Sequence, residues 1–344
     1  MMALKNVFMI LALTSSLFVG EVIWGQVNVP SARFQPSNVE ETDATRPFAQ
    51  PGIFDYDAQM WAPVEFTNGK QKKPHTGFFF GYERVYMSLG RAGSLEDNND
   101  PNITTGSDWG WGNRFELGWM NEDGDGWDII YQKGETNHFA AGLDILISTP
   151  LLVSTDFSQV EVNKIYRQTL SSGDYFEPYL GFRYFSISDN TLEDTTQAPG
   201  PNRFKQNMTN NAPGFQVGGR YNARRGRYRL TGDLALAAAY NDQSLFVTDL
   251  TTVGGAVGTA QSSFSSQSFV PVLDGAVELA YDLSRDIALK SSVQVNYLWS
   301  GVARANTNTT NLNPNSIFGA GNNFGIQESD FISAGFTFGI EWKR

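Results

Sequence analysis

The chain has 344 residues, 41% of them hydrophobic, with no cysteine and a formal net charge of -11. The lack of cysteine excludes disulfides, thiolate metal sites and a lipid anchor on an N-terminal cysteine, and the acidic balance argues against nucleic acid as a partner, because phosphate binding requires clustered Lys and Arg. The mean hydropathy of -0.30 fits a soluble β-sandwich or a membrane barrel, in which hydrophobic residues alternate with polar ones.

The first residues have the pattern of an export signal. Lys5 precedes an apolar run from Val7 to Val19, and Gly25 supplies a small residue at a cleavage position. Residues 1–25 are therefore predicted to be a signal peptide, and the mature protein is predicted to leave the cytoplasm. No later segment approaches the roughly 18 consecutive apolar residues of a membrane helix.

The next region differs in composition from the rest of the chain. Residues 26–76 are rich in proline, polar and charged residues, and only the stretch from Ile53 to Phe66 carries aromatic residues that could pack. Such composition favours an extended segment over a packed domain. We predict a periplasmic N-terminal extension, with a plug of the barrel lumen as the functional alternative, followed by a barrel domain over residues 77–344.

From Phe78 onward the sequence alternates with a period of two. The longest example runs from Ile287 to Trp299, where large apolar residues face one way and Lys290, Ser292 and their successors face the other. A period of two is the signature of a strand, and the length matches the roughly nine to eleven residues of a tilted transmembrane strand. The sequence predicts an all-β fold, a transmembrane antiparallel β-barrel of the outer-membrane type.

The connections alternate between short and long, as expected for short periplasmic turns and long outer loops. Counting one loop within residues 134–157 predicts ten strands, and a further hairpin there would give twelve. Ten is favoured because Pro150 interrupts this segment and proline is disfavoured inside a central strand. The predicted turns are 121–126, 171–174, 224–227 and 283–285, and the predicted loops are 92–110, 189–212, 242–267 and 305–328.

In each strand the face with the large apolar residues is assigned to lipid and the opposite face to the lumen. The predicted lumen charges balance, which is typical of a lumen filled by its own ion pairs, whereas a selective pore is lined mainly by one sign. Glu278 and Lys290 are predicted to pair across the lumen face of their hairpin. The predicted lumen-lining residues are Arg84, Arg114, Glu116, Asp128, Glu161, Arg167, Arg183, Arg220, Asp233, Glu278, Lys290 and Glu341. The predicted interfacial girdle consists of Trp119, Trp127, Tyr240, Trp299 and Trp342.

Signals for catalysis or metal binding are weak. His138 with Glu135 and Asp144 could form a proton-transfer group, but a lone loop histidine is more often part of a polar surface. The acidic turn at 121–126 resembles a calcium loop, yet Gln132 stands where a bidentate carboxylate is required. We predict no enzyme activity, no catalytic residue, no metal and no cofactor.

Five segments in the last two thirds of the chain form a recognisable set: VEVNKIYR (160–167), EPYLGFRYFSI (177–187) and residues 214–237, 277–304 and 331–343. Together they resemble the planctomycete outer-membrane β-barrel porins, the seventh family of a numbered series. The chain departs from many outer-membrane barrels in that Lys343 and Arg344 follow Trp342, since such barrels often end on an aromatic residue.

This resemblance implies a location in the cell outer membrane. The alternation of short turns and long loops predicts that the N-terminal extension and the C-terminus lie in the periplasm. The partners that the resemblance implies are outer-membrane lipid, the barrel assembly machinery and an unknown small solute. The resemblance implies a porin-like channel for small solutes, and the lumen charges favour a narrow or gated one. The alternative is a closed barrel, structural or active in surface recognition through its outer loops.

Overall fold

The structure is a computed structural model that describes residues 75–90, 109–141, 150–170, 174–195, 202–253, 256–304 and 327–344. The predicted signal peptide, nearly all of the N-terminal extension with its plug segment, and most of the two loops predicted at 92–110 and 305–328 lie outside the described residues.

The described elements are β-strands. Within the described residues, no helix is long and apolar enough to span a membrane. The strands are β1 (Gly77–Leu89), β2 (Trp109–Met120), β3 (Asp125–Ala141), β4 (Pro150–Tyr166), β5 (Gln168–Thr169), β6 (Tyr175–Thr195), β7 (Asn202–Arg225), β8 (Tyr228–Val253), β9 (Ala256–Asp282), β10 (Ile287–Arg304) and β11 (Gln327–Lys343).

The strands form one closed antiparallel sheet. Each long strand pairs with its neighbours in the chain, β4 pairs with β6, and β1 pairs with β11 to complete the circle. The two-residue β5 only extends the line of β4 along β6, so the barrel proper has ten strands. The predicted fold class is confirmed. Pro150 is the first residue of β4, a position that proline tolerates.

The two ends of the barrel differ in the length of their hairpins. At one end the connections are tight, as at Gly226, which has a φ of 63° between β7 and β8. At the other end the strands continue far into the segments predicted as loops: β6 and β7 pair to Thr195 and Asn202, and β8 and β9 pair to Val253 and Ala256. Paired strands satisfy each other's backbone groups even where both faces are wet, so these hairpins need no apolar alternation.

An apolar layer crosses the inside of the barrel, on the side of the long hairpins. Phe157 on β4 and Phe331 on β11 face each other across the lumen with ring centroids 6.0 Å apart. Neither side chain is exposed to solvent. The other members of this layer include Val85, Met87, Leu89, Phe185, Ile187, Val270, Val272, Leu298 and Val302.

The apolar layer explains one wrong assignment. The rule that the large apolar face meets lipid assigns Val85, Met87 and Leu89 to lipid and Arg84 to the lumen, but these three are buried inside the barrel and Arg84 is exposed on its outer wall. The rule that large apolar residues face lipid fails here because the lumen itself is apolar at this level. The lumen charge on β1 is Glu83.

The last residues of β10 are not paired with β9. β10 pairs with β9 as far as Leu298, opposite Val272, and its register with β11 shifts before Val302. The intervening Ser300 and Gly301 have φ values of 46° and 71°, a left-handed backbone that turns the strand inward. Beyond this point, among the described residues, β9 pairs only with β8.

Candidate functional site: the lumen and its closure

A lysine on β10 organises the centre of the lumen. The Lys290 Nζ lies 2.9 Å from Glu278 on β9, 3.2 Å from Glu116 on β2 and 3.4 Å from Glu83 on β1. Arg114 completes the group at 2.9 Å from Glu83. The lysine side chain is 3% exposed, so water screens these charges little. The group ties four strands together, and it includes the contact expected between Glu278 and Lys290.

A second group crosses the lumen from β7 to β3. The Arg220 guanidinium lies 2.6 Å from Asp128, which is fully buried, and 2.8 Å from Asp233. It also stacks over the ring of Tyr179 at 5.1 Å, and the Tyr179 hydroxyl donates to Asp233 at 2.8 Å. Asn163 donates to the other Asp128 oxygen at 2.9 Å. The buried aspartate is thus neutralised and hydrogen-bonded from two sides.

A third group surrounds Glu161 on β4. Arg183 on β6 donates to it at 2.8 Å, and Gln216 on β7 donates to its other oxygen at 2.8 Å. Arg183 also contacts Asp274 on β9, on the far side of the lumen. Buried charges are tolerated in proteins when they are paired and hydrogen-bonded in this way.

Further ion pairs lie at the end with the tight turns. Arg229 lies 2.5 Å from Glu341, and Lys343 lies 2.7 Å from the same carboxylate. Arg167 lies 2.6 Å from Glu177. Its guanidinium also donates to the backbone carbonyl of His75 at 2.5 Å, which holds the residues before β1 against the mouth of the barrel. Burial is the largest influence on the pKa of His75 and lowers it, which favours the neutral imidazole.

The structure therefore places eleven of the predicted lumen charges inside the barrel and Arg84 outside. Sequence reasoning missed several inward charges, of which Glu83, Asp274, Arg229 and Arg304 are examples. For Arg229 the signal was present, because it shares the parity of Thr231 and Asp233. The signal was also present for Asp274, which shares the parity of Glu278, whereas Glu83 gave no such signal, since both faces of its segment carry apolar residues.

The inward-turned end of β10 is held by side chains of β8 and β7, which lie beyond β9 in the sheet. Asn241 and Gln243 on β8 donate to the carbonyl of Gly301 at 2.7 and 2.8 Å. Asn210 on β7 accepts from the N–H of Ala303 at 2.8 Å and donates to its carbonyl at 2.7 Å. We call residues 300–304 the strap. Its last residue, Arg304, forms a two-point ion pair with Asp189 on β6 at 2.5 and 3.1 Å.

Two cavities lie in the described part of the lumen. A cavity of about 120 Å³ opens near His75 and Lys343 and reaches Lys290, and a neighbouring cavity of about 50 Å³ is lined by Gln132 and Asn296 among others. Such volumes hold a few water molecules, whereas drug-sized ligands occupy roughly 300–1,000 Å³. The Nε2 of Gln132 and the Nδ2 of Asn296 have no partner among the described residues, which fits water in these cavities.

The predicted girdle residues lie at two levels of the outer wall. Trp119 and Trp127 are register partners beside a tight turn. Trp342 lies at the same end of the barrel, where it pairs with Ile287, the first residue of β10. Tyr240 and Trp299 are exposed near the start of the long hairpins and the strap. Aromatic residues at two levels are typical of the two interfaces of a membrane barrel.

The weak candidates for chemistry gain nothing from the described residues. Among them no group of three or more His, Asp or Glu side chains is placed to hold a metal ion. Asp144 and the side chain of His138 lie outside the described part of the chain, so the group proposed around them stays a sequence hypothesis.

No protein-family model matches the chain, and a comparison with curated proteins found no match. Among solved structures it is similar to the outer membrane protease OmpT of Escherichia coli, at 9% identity over 81% of this chain and 100% of that one, with a TM-score of 0.44. It is also similar to the neisserial surface protein A, at 12% identity over 79% of this chain and 100% of that one, with a TM-score of 0.27. A mutant of the monoaromatic hydrocarbon channel TodX shares 6% identity, with a TM-score of 0.28 and coverage of 79% and 91%. Likeness at this level carries no argument about function.

Proposed function

We propose that this protein is an outer-membrane barrel with a closed lumen that acts in surface recognition through its long hairpins. The observation that carries the proposal is the closure itself. Ion pairs fill the lower lumen, and the apolar layer and the strap cross it above them. An eight-stranded barrel is just filled by side chains, and barrels of sixteen or more strands hold aqueous channels, so ten strands are readily filled.

The long hairpins are the natural place for a recognition function. The outward apolar run on β8 ends at Tyr240, opposite Phe269 on β9. From Tyr240 to Val253 the hairpin continues for roughly 40 Å at about 3.3 Å per residue. Binding residues in proteins are often carried by loops that a rigid scaffold positions, and a filled barrel is a rigid scaffold.

The orientation in the membrane is part of the proposal. Tight turns at one end and long hairpins at the other are the arrangement of bacterial outer-membrane barrels, with the turns in the periplasm. Both described ends of the chain, at His75 and Arg344, lie at the end with the tight turns. We accordingly propose that both face the periplasm, and that the chain is inserted by the barrel assembly machinery, as its resemblance to the planctomycete porins implies.

A narrow gated channel is the second candidate. The cavity of about 120 Å³ favours it, because a polar space already extends from the mouth near Lys343 to the centre at Lys290. In a gated channel the strap and the apolar layer would be the gate. Opening would then require the loss of the side-chain contacts that Asn210, Asn241 and Gln243 make with the strap.

Conductance in planar lipid bilayers separates the two candidates. The wild-type protein, shown to be folded by its heat-modifiable migration on gels, is compared with the double variant Asn210→Ala and Asn241→Ala. The matched control is Asn211→Ala, whose side chain lies on the outer wall and contacts Tyr184 and Ser186.

A closed recognition barrel predicts no discrete conductance for any of the three proteins. Steady conductance of the wild type would overturn the closed lumen. Conductance of the double variant alone would favour the gated channel and identify the strap as its gate. Equal conductance of the double variant and the control would instead indicate a general loss of packing.

A further inference from the structure

Arg84 is a cation on the outer wall that has no carboxylate partner among the described residues. Its guanidinium donates to the side-chain oxygen of Asn113 at 2.8 Å and lies 5.4 Å from the ring centroid of Trp111. Tyr82 donates to the same Asn113 oxygen at 3.0 Å. The contact with Asn113 is the one hydrogen bond of the guanidinium within the described part of the chain, so its other N–H groups can donate to a ligand outside the protein.

The register adds a second cation to this place. Arg84 on β1 is the partner of Asn113 on β2, and Asn113 is the partner of Lys133 on β3. Neighbouring strands are about 4.8 Å apart, so the two basic residues flank Asn113 at roughly 10 Å from each other. We call Arg84, Asn113 and Lys133 the row. Two carboxylates, Glu135 and Asp156, are paired across β3 and β4 near Lys133, and their negative charge reduces the positive potential around that lysine. Arg84 therefore contributes the stronger positive potential.

The row of Arg84, Asn113 and Lys133 lies in the upper half of the apolar band. From Phe78, the register partner of Trp119 in the lower girdle, the wall rises to Arg84 by roughly 20 Å of strand, or about 15 Å along the membrane normal at a tilt near 40°. The apolar band of such barrels is about 25 Å tall. The guanidinium thus lies in the half of the band that faces the long hairpins and can extend further toward that surface.

Aromatic rings continue the wall directly above the row. Tyr86 stacks on Trp109 at 5.1 Å and contacts Trp111 at 4.8 Å, and Trp109 stacks on Phe336 at 6.0 Å. Aromatic clusters of this kind mark the level of lipid head groups. The row of Arg84, Asn113 and Lys133 is therefore within reach of the head groups of the outer leaflet.

We propose that Arg84, Asn113 and Lys133 bind the phosphate of an anionic lipid in the outer leaflet. A guanidinium pairs with phosphate through parallel N–H donors, the Asn113 amide can add a further donor, and the ammonium of Lys133 contributes charge. A charged side chain on a lipid-facing wall is costly unless it finds a counter-charge or reaches the interface, and a lipid phosphate supplies both. The inference rests on the membrane placement proposed above.

The test uses the full-length protein in nanodiscs of equimolar phosphatidylcholine and phosphatidylglycerol. Native mass spectrometry measures the ratio of the two lipids that stay bound to the released protein. We expect enrichment of phosphatidylglycerol in the wild type and a roughly fivefold smaller enrichment in Arg84→Ala, the factor that corresponds to about 1 kcal/mol per basic residue at an anionic surface. Arg84→Ala combined with Lys133→Ala should lose more.

The matched control is Lys164→Ala. Lys164 is also an exposed cation on the wall, but it already lies 2.6 Å from Asp125, so its removal should leave the enrichment unchanged. Arg84→Gln serves if Arg84→Ala does not fold, because it removes the charge and keeps a polar side chain with an N–H₂ donor. Inorganic phosphate added to nanodiscs of phosphatidylcholine alone should not stabilise the wild type against heat, whereas binding of a free anion would.

Wild-type enrichment that persists in both Arg84 variants, or that Lys164→Ala reduces equally, would overturn the lipid site. The bilayer conductance of the same preparations is an independent result. A conducting wild type with normal lipid enrichment would refute the closed lumen and leave the lipid site intact. A wild type without conductance and without lipid enrichment would refute the lipid site and leave the closed lumen intact.

Discussion

The ion pair between Arg304 and Asp189 gives the sharpest test of a closed lumen. Asp189 is completely buried and the Arg304 side chain is 3% exposed. Thr155 also donates to the aspartate at 2.7 Å, and Phe331 covers the guanidinium at 5.0 Å. Arg304→Met would remove the arginine from this buried ion pair and leave the Asp189 carboxylate in place. Breaking a buried pair from one side costs about 3–5 kcal/mol, a large part of the roughly 5–15 kcal/mol that stabilises a typical protein.

The matched second variant removes both charges. Arg304→Met together with Asp189→Leu replaces the pair by apolar side chains beside Phe331, a change that is often neutral or stabilising for buried ion pairs. We expect the double variant to recover most of the stability lost by Arg304→Met. Together with Asp189→Leu alone, these variants form a double-mutant cycle, for which we expect a strong coupling energy between the two side chains.

The assay is urea unfolding of the protein in lipid vesicles, followed by tryptophan fluorescence. The free energy of unfolding is compared at equal slope, so that a change in midpoint reports stability. A cost below about 1 kcal/mol for Arg304→Met is the value expected of a solvated surface pair. That result would refute the reasoning, because it would mean that water reaches the upper lumen and that the strap does not close it.

Two further predictions concern the centre of the lumen and the turn into the strap. Lys290→Met leaves Glu83, Glu116 and Glu278 close together with too few counter-charges, so we expect a loss of about 3–5 kcal/mol in the same urea assay, whereas Lys164→Met on the outer wall should change stability by less than about 1 kcal/mol. Gly301 has a φ of 71°, and Gly301→Ala would put a Cβ 2.8 Å from the carbonyl oxygen of Phe269, so we expect a loss of about 1–3 kcal/mol in the free energy of unfolding. The control is Gly232→Ala, where an added Cβ meets nothing within 4 Å. An unchanged midpoint for Gly301→Ala would show that the backbone at the strap relaxes freely.

Alternation predicted the wall of the barrel well where only one face is apolar. On β2, β3 and β7 the polar residues between the outward aromatic and aliphatic ones, such as Glu116, Asp128 and Arg220, lie inside. A strand of period two has only two registers, and burying one face against lipid selects between them. The same reasoning predicted the pairing of Glu278 with Lys290, since both residues belong to one hairpin.

The same rule failed on β1 because the strand changes what it buries along its length. Phe80 and Tyr82 face outward near the tight turns, and Val85, Met87 and Leu89 face inward at the apolar layer. These large apolar residues therefore occupy even positions before Arg84 and odd positions after it. Nothing in the sequence of one strand tells which apolar residues meet lipid and which meet the opposite wall.

The sequence by itself determined the class of the protein and most of its wall, because strand period, strand length and turn chemistry are local properties. The tertiary structure decided what fills the lumen. The contacts of Arg304 with Asp189 and of Asn210 with the strap join residues about a hundred positions apart, and they exist only once β1 has closed on β11 and the register of every strand is set. The position of Arg84 on the lipid face was decided in the same way, since it depends on where the apolar layer crosses the barrel.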